Sequence, residues 1–353
     1  MDVIFTKEAS YLEQWDAFID QSTQANHLQF SDWLQSYLSY GFDFEVGLLL
    51  DNGKIVGGFG AVIPKFSFFK FYIAPNGPIV KDGADAEVFE TLLSAIANRA
   101  KTLKCCYCQF NQPLTIRKDG QFSEPFSVPH LFKKGSLFKY VYTSEGINWL
   151  DFSKYTSEAE ILQDFKSSVR RDIRSSERKG QVVSFLTEED EIRTAYRLCE
   201  DNAKRAGYSL RSWNDFSATI LNLIVKKRAK FMAAYKDDEI KGAVFLVKSG
   251  NYYTYIFGGA KRETPDLLSG HFLQWEALTM AFREGCVGYN ISLGGSDGVK
   301  SFKGGFNVTP ILAQEAKYYL VLNGLTFNLF LFFEKKIKPY KGTIAKLLSK
   351  KNK

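Results

Sequence analysis

The residues best suited to chemistry lie in the run Tyr289-Asn290-Ile291-Ser292-Leu293-Gly294-Gly295-Ser296-Asp297-Gly298-Val299-Lys300-Ser301-Phe302-Lys303-Gly304-Gly305-Phe306. Its apolar start reads as a strand and the glycines behind it as a loop. Glycines let a backbone approach a ligand closely and aim N–H groups at it. A lysine in such a loop can stabilise a developing oxyanion. Lys303 is therefore the expected catalytic group, with Phe302 beside it and Gly294 and Gly295 contacting substrate. Tyr255, on the strand Tyr252 to Gly258, is expected to bind substrate too. A flexible loop whose lysines face water has the same composition.

A second constellation is basic. Lys166, Arg170, Arg174 and Arg178 are four apart, so a helix would line them along one face. The acids in that stretch are Asp172 and Glu177. The stripe suits a nucleotide or RNA phosphate backbone, and equally a solvated helix face. Other engines lack their signatures. The three histidines, His27, His130 and His271, form no ligand spacing, and there is no G-x-S-x-G elbow, Walker loop or dinucleotide fingerprint. Cys105, Cys106 and Cys108 crowd one apolar stretch, with Cys199 and Cys286 elsewhere. Such spacing favours buried strand thiols over a metal site. No metal and no cofactor is expected, and free thiols fit a reducing compartment.

The elements that must position these groups follow from length and repetition. A chain of 353 residues exceeds what one core usually serves. Its net charge of +7 favours anionic partners. The polar N-terminus has no secretory apolar region, and no apolar run is long enough to span a bilayer, so a cytoplasmic protein is expected. Two stretches about 180 residues apart can be laid over each other. Each has a strand, two helices, a hairpin with an acidic turn, a third strand, a long helix and a closing strand. Both hairpins share Ile-x-Gly after the turn, in Ile55-Val56-Gly57 and Ile240-Lys241-Gly242. This order is that of the GNAT acyltransferase fold, so the expected class is α/β with mixed sheets, in two tandem GNAT-like domains. The first is expected over residues 1–150, with a strand and helix of 311–353 returning to pack on it, and the second over 151–310. A single charged helix is expected from Ser157 to Lys179.

In this frame the chain resembles the Fem family of non-ribosomal peptidyltransferases. Five pieces carry the resemblance: Phe30-Ser31-Asp32-Trp33; Tyr72-Ile73-Ala74-Pro75-Asn76-Gly77-Pro78; Val169 through Gly180; Arg205-Ala206-Gly207-Tyr208-Ser209-Leu210-Arg211; and Tyr289 through Phe306. The resemblance implies transfer of an amino acid from aminoacyl-tRNA to a peptidoglycan precursor. It places Arg211 where the family grips the precursor's diphosphate, Trp33 in the substrate groove, and Lys303 next to the reacting carbonyl. Tyr37 stands where family members that bind the nucleotide precursor can carry a lysine.

The expected activity is amide synthesis on a nucleotide- or lipid-linked cell-envelope precursor, with the basic helix meeting tRNA. The alternatives are an acyl-CoA- or acyl-carrier-dependent N-acyltransferase acting on an amino sugar, and a non-catalytic binder of anionic precursors. The apolar run from Leu325 to Phe333 and the lysines after it suit either packing on the first copy or contact with the inner membrane surface.

Overall fold

A computed structural model describes residues 3–84, 86–144 and 146–337. The last part of the expected C-terminal tail, from 338 on, lies outside them. Along the chain run β1 (Val3–Thr6), α1 (Ala9–Gln21), α2 (Ser31–Gln35), β2 (Asp43–Asp51), β3 (Lys54–Ile63), β4 (Phe69–Ala74), α3 (Ala86–Thr102) and β5 (Tyr107–Asn111). Short two-residue ladders lead to β6 (Gly146–Asp151), α4 (Glu158–Asp164), α5 (Ser167–Glu177), β7 (Val182–Leu186), α6 (Glu189–Arg205) and α7 (Trp213–Val225). Then come β8 (Ala229–Lys236), β9 (Glu239–Ser249), β10 (Tyr252–Ala260), α8 (Ser269–Arg283), β11 (Gly288–Asn290), α9 (Asp297–Lys303), β12 (Thr309–Leu312), β13 (Lys317–Val321) and α10 (Gly324–Phe332). No helix among the described residues is long and apolar enough to cross a membrane.

Two mixed sheets organise these elements. One has the order β1-β2-β3-β4-β5-β13, and the other β7-β8-β9-β10-β11-β6-β12. The first six positions correspond, and in each sheet only the fourth and fifth strands pair in parallel. The shared Ile-x-Gly has a structural meaning. Leu49 pairs with Gly57 and Leu50 with Ile55, so Val56 bulges out. Ala234 pairs with Gly242 and Tyr235 with Ile240, so Lys241 bulges out. One extra residue at the same place re-aims each hairpin. The glycine is needed because its backbone is crowded: a Cβ at Gly57 would meet Leu92 Cδ1 at 2.9 Å, and one at Gly242 would meet Leu273 Cδ1 at 3.0 Å.

Four boundaries differ from the sequence expectation. The strand β6, Gly146–Asp151, pairs with β11 and β12 in the second sheet, so a division at 150 cuts through it. The strand expected from Cys105 starts at Tyr107. The expected helix from Ser157 to Lys179 is two helices. Phe165 turns inward in extended conformation, and Lys166 N donates to Gly305 O instead of to its own helix. The glycine-rich stretch is shorter as loop than expected, because Lys303 closes α9. From the tail, β13 pairs with β5, and α10 sets Phe327 and Phe330 against Phe71.

The two halves are joined through α1, α2 and α7. Trp33 packs edge-on against Phe216, with centroids 5.2 Å apart. The buried Asp32 carboxylate accepts from Asn222 Nδ2 at 3.2 Å and Lys226 Nζ at 2.5 Å. Asp16 accepts from both N and Oγ of Ser31, the first residue of α2, and from Arg228 of the second half at 3.3 Å. The Asp16 side chain is 1% exposed and that of Arg228 16%. A buried carboxylate that loses its cation is costly. Arg228→Ala should therefore lower stability by about 3 kcal/mol, read as a shift in urea midpoint. A shift equivalent to less than about 1 kcal/mol would mean that Ser31 alone satisfies Asp16.

Candidate active site

The site is built where the second sheet opens. The strands β10 and β11 pair over three residues only, from Tyr252 with Gly288 to Thr254 with Asn290. Beyond that pair β10 bulges, with Ile256 skipped against β9, and β11 leaves the ladder. Ser292 takes a left-handed φ of 60°, a conformation that costs a non-glycine residue about 1 kcal/mol. Two asparagines replace the lost ladder bonds. Asn290 Oδ1 accepts from Ser292 N at 2.8 Å and Asn148 N at 3.2 Å, while Asn148 Nδ2 donates to Ser292 O at 3.0 Å. Neither asparagine was singled out from sequence as functional, and the only signal was the polar residue ending an apolar strand.

Lys303 reaches into this opening from α9 and is 3% exposed. Its ammonium donates to Ser292 Oγ at 2.7 Å, Gly294 O at 2.7 Å and Ser292 O at 3.2 Å. It also lies 5.4 Å from the ring centroid of Tyr255. Burial lowers its pKa from 10.5 to about 8. Lys303, Gly294 and Tyr255 are thus brought together. Gly295 has a packing role, since a Cβ there would meet Val299 Cγ1 at 2.5 Å at a φ of +135°. Gly305 is crowded too, since a Cβ there would meet Val169 Cγ2 at 2.4 Å. Phe302 carries no reactive group and packs against His271 and Phe306, at 4.8 and 5.2 Å.

Arg211 stands at the seam between the halves. Its guanidinium lies over Tyr37, Tyr40 and Phe216, at 4.6, 5.3 and 5.0 Å. One N–H donates to Ser36 Oγ. No carboxylate pairs with it among the described residues, so ring faces and one hydroxyl hold a half-buried cation. Tyr37 and Tyr40 take part in a site that sequence reading noted only as a missing lysine. Trp33 is 7% exposed and wedged between Phe216 and His27, so it supports this cage from beneath.

The basic stripe is only partly available. Lys166, Arg174 and Arg178 are exposed. Arg170 is not: its Nη1 donates to Gln163 O and Phe165 O, both at 2.7 Å, closing the end of α4. The break between α4 and α5 is what consumes it. The five cysteines are buried, and burial pushes each thiol up, which leaves them inert. No group of three or more metal-ligating side chains is assembled among the described residues. A cavity of about 40 Å³ lies between the halves beside the opening, lined by Asn26, His27, Asn76, Tyr252, Thr254 and Asn290 among others. Burial lowers the His27 pKa to about 3, so its imidazole stays neutral.

Residues 163–303, which hold Lys303, Ser292, Asn290 and Arg211 but not Asn148, match the family described as the acetyltransferase (GNAT) domain. No curated protein matches the sequence. The fold of the whole chain is similar to that of FemX, with a TM-score of 0.75 at 14% identity, covering 93% of this chain and 99% of that one. It is also similar to L-PGS from Bacillus licheniformis, with a TM-score of 0.54 at 13% identity over 93% and 96% of the two chains. The C-terminal domain named for a lysylphosphatidylglycerol synthetase of Agrobacterium fabrum gives 0.54 at 12% identity over 92% and 97%. The fold is thus α/β with tandem GNAT-like units, and residues 163–303 of its second half carry the match to an acetyltransferase domain.

The lysine's environment is directly measurable. Carbon-13 shifts of the lysine side chains, followed across pH, should show Lys303 titrating near 8, below its ordinary value of 10.5. A Lys303 midpoint at the ordinary value of 10.5 would refute the burial described.

Proposed function

We propose that the protein transfers an aminoacyl group from aminoacyl-tRNA to the amine of a cytoplasmic cell-envelope precursor. The observation that carries the reading is a buried ammonium held at the mouth of two parted strands in an acyltransferase domain. The acceptor amine attacks the ester carbonyl, the C–N bond forms, and the carbonyl oxygen becomes an oxyanion. The C–O bond then breaks, and the departing oxygen takes up the proton that the amine nitrogen loses. Lys303 supports the oxyanion. Its three N–H groups are already engaged, so the oxyanion exchanges with one acceptor. Ser292 Oγ is the acceptor able to leave, because its side chain can change χ1 rotamer while the two main-chain carbonyls are fixed.

Each half takes a separate task in this reading. The half that precedes Gly146, with its returning tail, supplies Ser36, Tyr37 and Tyr40 around Arg211, and the second half supplies the chemistry. Arg211 holds the acceptor's phosphate, for which a planar fork without a carboxylate partner is suited. Lys166, Arg174 and Arg178 meet the donor's polyanion. The similarity to proteins titled FemX and lysylphosphatidylglycerol synthetase supports an envelope acceptor.

The acetyltransferase description of residues 163–303 favours a second reading, an acyl-CoA donor. Against it stands Asp266, whose carboxylate accepts from Leu268 N at 2.8 Å at the start of α8. A pyrophosphate gripped by backbone N–H groups there would meet that negative charge. Pure protein given charged tRNA or acyl-CoA with nucleotide- and lipid-linked precursors decides between them by product mass. An amino-acid increment from charged tRNA alone is expected, and an acyl increment from acyl-CoA would overturn it.

Lys303→Met should cut kcat by ~10²-fold or more. With the unfolded amine at 10.5 and the folded one at about 8, the unfolded chain binds the proton first as pH falls. Stability is therefore lost between those values and stays lower below them. The variant escapes that cost at neutral pH but orphans three acceptors, so its Tm should stay close to the parent's. Turnover in the parent should decline as pH rises through about 8. A flat profile, or full activity in the variant, would remove Lys303 from the chemistry. Arg211→Lys should weaken acceptor binding at least ~10-fold by calorimetry, with folding intact, and equal affinity would count against the phosphate role.

A further inference from the structure

The helix α10 is apolar on both faces, and only one face is used. Phe327 and Phe330 are buried against Phe71, Tyr107 and Phe138. On the other side Leu325 is 85% exposed, Leu329 40% and Phe332 55%. Spacings of four and three put these on one stripe. Phe333 extends the stripe and lies 6.0 Å from Phe69 of the neighbouring hairpin. The hairpin tip adds Phe68, which is 61% exposed. An exposed apolar surface of this extent signals something that covers it.

Charge identifies the cover. Lys65 and Lys70 pair across the hairpin that carries Phe68. Lys335 is exposed just after the helix. In the segments 65–70, 138–140 and 324–337 the one acidic residue is Glu334, and Lys139 neutralises it at 3.0 Å. The chain then continues through residues 338–353, with six lysines and no acid. An apolar stripe rimmed by lysines, leading into a run of lysines, fits a surface that is apolar beneath and anionic on top.

We propose that α10 and the 65–70 hairpin dock the protein on an anionic phospholipid bilayer, with the Leu325–Leu329–Phe332 stripe and Phe68 seated among the headgroups. This deepens the proposed function, since a surface-bound enzyme meets a lipid-linked acceptor in two dimensions. Co-sedimentation of the full chain with vesicles tests it, with neither donor nor acceptor present. Its failure therefore leaves aminoacyl transfer standing, and failure of transfer leaves the docking standing.

Binding to vesicles of mixed phosphatidylglycerol and phosphatidylcholine is expected at low salt, falling as salt rises. Pure phosphatidylcholine vesicles should bind far less. The double variant Leu325→Glu with Leu329→Glu should lose at least ~10-fold in partitioning. Its melting temperature should be unchanged, because both side chains are solvent-facing. Equal binding by the double variant would show that the lysine tail acts alone and would overturn the docking face. So would absence of binding at low salt, or equal binding to neutral vesicles. A dimer in sedimentation velocity that the double variant dissolves would assign the stripe to a second copy of the chain instead.

Discussion

The constraint on which the site depends is that a sheet must come apart in its middle. Two parallel strands, β10 and β11, stop pairing after Thr254 and Asn290. Backbone groups freed in a buried place must find partners, because each orphan costs about as much as a lost hydrogen bond. Asn290 and Asn148 take the N–H and C=O groups nearest the split. Lys303 takes Ser292 O and Gly294 O just beyond them. The catalytic candidate is therefore also the plug that lets the opening exist. That dual role explains how a lysine comes to sit 3% exposed with no carboxylate partner among the described residues.

The first sheet shows the contrast. Its parallel pair, β4 with β5, continues from Phe71 with Tyr107 through Ala74 with Phe110, and Gly77 still bridges Asn111. The space beside β3 and β4 is filled by Gln29, whose side chain accepts from Gly60 N and donates to Gly60 O and Pro75 O. The same strand order thus gives one opened sheet and one closed sheet. The closed half meets the open one through polar anchors, Asp16 and Asp32, and through the aromatic ring set around Arg211. An arginine held by ring faces keeps its fork for an incoming anion, whereas one paired with aspartate would not.

Much of this was legible as pattern. The Ile-x-Gly pairs at 55–57 and 240–242 marked equivalent bulges, because a bulge demands a small residue at a crowded register. Lys303 stood out by its glycine surroundings. Arg170 shows the opposite case. Four-residue spacing placed it on an open stripe, but spacing carries no information about where a helix breaks. The break at Phe165 and Lys166 turned its guanidinium to two main-chain carbonyls. Trp33 read as a groove residue and is a wedge, since burial is set by what the other half brings against it.

The sequence by itself determined the strand and helix order, the mixed-sheet class, the glycines that crowded backbones require and the lysine at the end of the second unit. These follow from local periodicity and turn chemistry, which act within a few residues. Tertiary structure decided the rest. It chose which sheet would open, and it placed β6 and β13 beside strands far away in the chain. It also brought Ser36 and Tyr37 to Arg211 across a separation of 175 residues for the hydrogen-bonded pair. Contacts between distant segments depend on how whole faces fit, and that fit is not written in the spacing of either face alone.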